Sequence, residues 1–199
     1  MTVRCHWPLT WPRIPQDILD AVLARRSQRI VMIKDTGYDQ DHKRPASSYC
    51  FDLVGNTALE SWARQQVQAP ITHIEWLWFG LQTQEAGAQA TSTHIVHVDD
   101  QRSWSLFYLL ESGGTSVRTT WYWEQNRELR RPKWLGGRQV DDAPIVNYDN
   151  LTEIDHAELK EHTWYLLRSD VLHDVQGITN QRRSLSVKVQ VNDLLEHSV

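Results

Sequence analysis

Residues 164–191 read Trp164-Tyr-Leu-Leu-Arg-Ser-Asp-Val-Leu-His173-Asp-Val-Gln-Gly-Ile-Thr-Asn-Gln-Arg182-Arg183-Ser184-Leu-Ser-Val-Lys-Val-Gln-Val191. The apolar run 163–168 predicts a strand, and Gly177-Ile-Thr-Asn-Gln181 is turn-like. From Arg182 the chain alternates. Arg182, Ser184, Ser186 and Lys188 face one way, and Arg183, Leu185, Val187 and Val189 face the other. The apolar face belongs against a core, which leaves the polar face to line a pocket. Strand parity thus selects Arg182 over Arg183 as the inward cation, with Ser184 as its neighbour.

A second stretch, His94-Ile-Val-His97-Val98-Asp99-Asp100, reads as the end of a strand and the turn after it. Residues two apart on a strand share a face, so His97 and Asp99 can address one ion. Two histidines and a carboxylate, with the remaining positions open, form the facial triad of non-haem Fe(II) oxygenases. His97, Asp99 and His173 have the residue types and order for that set. With nine histidines in the chain, other pairs of the same form occur. His73-x-Glu75 lies in a strand-like run, whereas His156-x-Glu158 sits in a charged segment that reads as a solvated face. The setting favours His97-x-Asp99, because a polar turn and then the apolar strand 104–110 follow it directly.

Outward from these stretches, residues 15–26 read as an amphipathic helix, with Ile18, Leu19, Val22 and Leu23 at helical spacing and Pro15 at its start. Thr57-x-x-Glu60 has the form of a capping box opening a second helix to about residue 68. Residues 34–48 are polar and broken by Gly and Pro, which predicts a loop. Strands are predicted over 71–82, 93–98, 103–111, 117–124, 144–148, 163–168 and 184–191. Residues 83–93 are read as a connection and 125–143 as a long excursion or flap. Short strands preceded by two helices predict a sandwich or barrel with helices on one side. The 199 residues are read as one domain, with 1–70 a helical support and 71–191 the core.

Composition narrows the function classes. Net charge is −4, so no strong pull on nucleic acid or anionic membrane is expected; a nucleic-acid substrate is disfavoured but left open by the sequence cluster of Arg127, Arg130, Arg131, Lys133 and Arg138. The two cysteines, Cys5 and Cys50, form no C-x-x-C pair, which argues against a disulfide scaffold and a thiolate metal site. No signal-like segment opens the chain and no run of about 18 apolar residues occurs, so a cytoplasmic protein without a membrane segment is expected. Ten tryptophans are the compositional oddity, and they are expected mostly in the core or on sheet faces.

The order His97-x-Asp99, His173, Arg182-x-Ser184, with residues 164–186 around the last two, resembles the 2-oxoglutarate- and Fe(II)-dependent dioxygenases. It is most similar to their small prolyl-hydroxylase-like and phage-type members, over roughly residues 71–191. The resemblance implies a double-stranded β-helix (jelly-roll) core. It also implies Fe(II) on His97, Asp99 and His173, the keto acid of 2-oxoglutarate on the metal, and its far carboxylate on Arg182 and Ser184. O2 would then be consumed, succinate and CO2 released, and a C–H bond of a small-molecule or peptide substrate hydroxylated. Many members place the co-substrate arginine ten residues after the distal histidine, which counts to Arg183; the R-x-S pattern and strand parity favour Arg182. Tyr108, Trp121 and Tyr122 are candidates for lining the co-substrate or substrate pocket.

Two other readings compete. A cupin-type metalloenzyme without 2-oxoglutarate would pair His94 with His97, yet residues three apart on a strand point to opposite faces. A carbohydrate-type β-sandwich binding module would stack sugars on Trp76 and Trp78 or on Trp121 and Trp123. The sequence leaves the substrate and the oligomeric state open.

Overall fold

The computed structural model describes residues 3–24, 32–33, 46–52, 57–74, 80–86, 96, 98, 103–125, 133–135, 138–140 and 150–191. In chain order the elements are β1 (His6–Pro8), α1 (Gln16–Ala24), β2 (Met32–Ile33), β3 (Ala46–Asp52), α2 (Thr57–Gln65), β4 (Ile71–Ile74) and β5 (Gly80–Ala86). They continue with β6 (Trp104–Glu111), β7 (Arg118–Glu124), β8 (Lys133–Leu135), β9 (Arg138–Val140), β10 (Leu151–Ala157), β11 (Trp164–Arg168), β12 (Leu172–Gln176) and β13 (Arg182–Val191).

An eight-stranded antiparallel sheet runs β1-β11-β6-β13-β5-β3-β2, with β4 pairing the far half of β13. A three-stranded sheet runs β10-β7-β12, and β8 and β9 pair antiparallel as a two-stranded sheet. The chain crosses from one sheet to the other between β6 and β7, between β10 and β11, and again on each side of β12. That alternation makes the core a double-stranded β-helix, or jelly roll, mainly β with two N-terminal helices. Among the described residues, no helix is long and apolar enough to cross a membrane.

The large sheet is covered on both faces, which is why β6 carries seven consecutive buried residues, Trp104 to Leu110. On one face Trp104, Leu106, Tyr108, Leu110, Trp164, Leu185 and Val187 pack against Leu19 and Val22 of α1 and Leu59 and Ala63 of α2. Leu19 N bonds to Pro15 O at 3.0 Å, so Pro15 stands at the head of α1 as its sequence predicts. On the other face Phe107, Leu109, Tyr165 and Leu167 meet Trp121 and Ala157 of the small sheet, with Cys5 beside them. This second layer is the inside of the jelly roll.

Several expected boundaries move. The strand expected over 71–82 is two elements, β4 and β5, and β5 runs to Ala86 into the expected connection. Residues 46–48, expected in a loop, open β3, whose seven residues pair in register with β5. The charged run 151–157 is a strand, because only one of its faces needs to be apolar at the rim of the small sheet. His173, which follows the strand expected over 163–168 with no element of its own predicted, lies within β12. The long excursion holds the paired strands β8 and β9, and the strand expected over 144–148 lies outside the described residues.

Candidate metal and anion site

His173 is directly opposite Trp121 in the β12–β7 ladder, and Asp155 of β10 is opposite Trp121 on the other side. Opposed residues in an antiparallel ladder share a face. Trp121 belongs to the layer between the sheets, so His173 and Asp155 stand on that inner face with it. His173 Nδ1 lies 2.8 Å from the Val171 carbonyl oxygen. A carbonyl can only accept, so Nδ1 carries the proton, and in the neutral imidazole the basic nitrogen is Nε2. A backbone acceptor that fixes the tautomer in this way is the usual support of a metal-binding histidine.

The strand itself is tied down on its opposite face. Tyr122 donates its hydroxyl to Asp174 Oδ1 at 3.0 Å, and Gln176 bonds to both groups through its amide. Arg118 in turn donates to the Gln176 side-chain oxygen Oε1 through Nε and a terminal nitrogen, at 3.1 and 3.0 Å. Asp174 is fully buried. The sequence reading missed this network; the alternation His173-Asp174-Val175-Gln176, polar on both faces, was the available signal.

The cation is on the inside. Arg182 is 3% exposed, and its Cζ stands 5.4 Å from the ring centroid of Phe107, in the layer between the sheets. Ser184, also buried, opposes Leu109 of the same layer. Burial pushes the Arg182 guanidinium down to about 10, which leaves it charged at neutral pH. Arg183 faces the other way and is ion-paired with Glu111. The two arginines are thus separated by strand parity.

The remaining candidates divide. His97 and Asp99 lie outside the described residues, as does His94; their described neighbours Val96 and Val98 pack with Tyr122 and Leu172, beside β12. Among the described residues no three His, Cys, Asp or Glu side chains form a metal-binding group. Tyr108 is not brought to Arg182. It opposes Leu185 on the helix-covered face, packing on Trp164 at 4.6 Å with its hydroxyl 3.5 Å from His162 Nδ1, because even-numbered residues of β6 point away from the jelly-roll interior. Tyr122 likewise points to the face opposite His173. Trp121 does share the face of His173, but it is fully buried and gives its Nε1 proton to the Arg168 carbonyl at 2.9 Å. A sugar platform on Trp121 and Trp123 therefore reduces to Trp123, 62% exposed; Trp76 and Trp78 lie outside the described residues. Of the rival pairs, His73 is exposed on β4 with Glu75 outside the described residues, and His156 is exposed and bonded to Glu153 at 2.7 Å.

No family model and no curated relative matches the chain. Among solved structures it is similar to a Pseudomonas putida prolyl-4-hydroxylase, at 12% identity and TM-score 0.46, over 94% of this chain and 92% of that one. It is also similar to E. coli ycfD, at 15% identity and TM-score 0.43, over 96% of this chain and 51% of that one.

Proposed function

We propose that the protein is an Fe(II)- and 2-oxoglutarate-dependent oxygenase that hydroxylates a C–H bond of a small-molecule or peptide substrate, releasing succinate and CO2. The observation that carries this reading is the buried, charged Arg182 on the inner face of β13, at the head of the strand that follows β12 and His173. An enclosed cation of this kind is a seat for a carboxylate, and a guanidinium can grip one through two parallel hydrogen bonds. His173 fits the metal, since its Nδ1 proton is engaged by the Val171 carbonyl. His97 and Asp99 would complete the ligand set. Bound Fe(II) would supply the redox chemistry that couples O2 to decarboxylation of the 2-oxo acid and oxidation of the substrate. The chain's own part is to hold the imidazole in one tautomer, to orient the co-substrate through Arg182 and Ser184, and to exclude water with Phe107, Leu109 and Trp121.

The test is an anaerobic titration of the metal-free protein with Fe(II) and then 2-oxoglutarate, followed through the weak visible band of the iron–keto-acid chelate. The band should form with wild type and be absent in His173→Ala. In Arg182→Ala it should require about a hundredfold more 2-oxoglutarate, the loss expected for a charge-assisted bidentate contact. A folded wild-type protein that never gives the band would sink the proposal.

A further inference from the structure

Arg182 is backed by a glycine that leaves it no spare room. Gly113, in the turn between β6 and β7, is buried with φ +84°. A Cβ at position 113 would stand 2.7 Å from Arg182 Cβ, 3.2 Å from its Cα and 3.3 Å from its amide nitrogen. Any side chain there displaces Arg182, and the left-handed φ adds strain of its own. The Gly113 carbonyl accepts the amide protons of Thr179 and Asn180, at 2.8 and 2.7 Å, in the loop that delivers the chain to Arg182.

The turn is itself anchored. Ser112 N donates to Glu161 Oε1 at 2.7 Å, and this hydrogen bond holds the Glu161 carboxyl below the usual range. Ser112 Oγ donates to the Gly114 carbonyl at 3.1 Å, and Glu111 on the other side pairs with Arg183. The β6–β13 ladder changes register between Arg183 and Ser184, while on its other side the head of β13 stays in register with β5, Arg182 opposite Gln84 and Arg183 opposite Thr83.

We infer that Gly113 is a positioning residue for Arg182: the missing side chain sets the depth of the guanidinium in the sandwich, and so the length of 2-oxo dicarboxylic acid that spans from it to the metal. This inference rests on the oxygenase reading. It is tested on the full-length chain by anaerobic Fe(II) titrations with three acids. These are 2-oxoglutarate, the one-methylene-longer 2-oxoadipate, and 2-oxobutanoate, which has no far carboxylate. Gly113→Ala should weaken 2-oxoglutarate roughly tenfold or more, as a small misplacement of a binding group does. It should also change the ratio between the two diacids and leave 2-oxobutanoate unaffected. Ser112→Ala, which loosens the turn without adding atoms, should shift the ratio in the same direction by less, and it carries the test if Gly113→Ala does not fold. Gly177→Ala is the control. It has φ +78°, and its Cβ would meet the Ser116 carbonyl oxygen at 2.6 Å instead of Arg182, so it should lower stability without changing the ratio.

An iron-free readout is the Arg182 Nε–Hε resonance in a 15N-labelled chain, identified by its loss in Arg182→Lys, which should move in Gly113→Ala. An unchanged diacid ratio together with an unmoved resonance overturns the inference. If wild type gives no band with any of the acids, the oxygenase reading falls, and the resonance alone then decides whether Gly113 positions Arg182.

Discussion

Cys5 is a fully buried free thiol, and burial, with the charge of Asp155 adding to it, pushes its pKa up to about 12. A thiol whose folded pKa lies above the unfolded value stabilises the fold fully below about pH 9, and that stability is lost as pH rises toward 12. Unfolding free energy measured by urea titration should therefore fall across this window by about 1.4 kcal/mol per pH unit more than in Cys5→Ser. The same burial predicts that in a Cys50→Ser background the native protein leaves a thiol-specific reagent unreacted at pH 8, and that urea then releases one equivalent from Cys5. Trp123 is the contrasting residue: at 62% exposure it holds little of the core, so Trp123→Ala should change stability by no more than about 0.5 kcal/mol. A thermal melt of that variant distinguishes the two cases. Strand parity alone separated Arg182 from Arg183 in the sequence, since alternation is a local property of an extended chain. For Tyr108 and Tyr122 alternation offered no such choice, because which face of a strand meets which layer is set by elements far away in sequence.

At the scale of elements, Trp164 of β11 is the point where the helices seat on the large sheet. It is fully buried, lies 5.4 Å from Trp11, 5.9 Å from Trp62 of α2 and 4.6 Å from Tyr108, and donates Nε1 to the Pro12 carbonyl at 3.1 Å. Trp164→Ala should cost about 3–5 kcal/mol, lowering the melting temperature by roughly 10 °C. A second joint closes the sandwich on the side of β1. Asp155 Oδ2 of β10 accepts the Cys5 amide at 2.6 Å and lies 3.0 Å from His6 Nδ1, while β1 itself pairs with β11 of the other sheet. The His6 ring also stacks on Trp121, 5.8 Å away. Asp155→Ala should cost about 1–3 kcal/mol by leaving the Cys5 amide without its acceptor. Hydrogen exchange should then accelerate at Leu9, whose amide bonds to the Trp164 carbonyl, before it does in β6. Asp155→Asn keeps an acceptor oxygen and should lose less. If Leu9 exchanges no faster in Asp155→Ala, this joint does not hold β1.

On the scale of the whole molecule, the N-terminal stretch serves both interior layers: Trp11 and Ile14 enter the layer under the helices, and Cys5 enters the layer between the sheets. A chain shortened to begin at Pro15 should therefore lose both, and its near-ultraviolet circular dichroism should lack the native aromatic signal. Retention of that signal would show that the two layers close without these residues. The sequence by itself determined the local terms: the two amphipathic helices, the alternation of β13, and the spacing from His173 to Arg182, all of which depend on neighbours a few residues apart. It also marked Trp104–Leu110 as a largely apolar run, though not why every residue in it, Ser105 included, is buried. Tertiary structure alone decided the rest. The charged run 151–157 is a strand because β7 offers it a partner, and 46–52 is a strand because β5 does. Gly113 matters because a turn 69 positions earlier in the chain comes to lie against Arg182. Periodicity records which way a side chain points relative to its neighbours, while the identity of the surface it meets is settled only when distant strands pair and the two sheets close on each other.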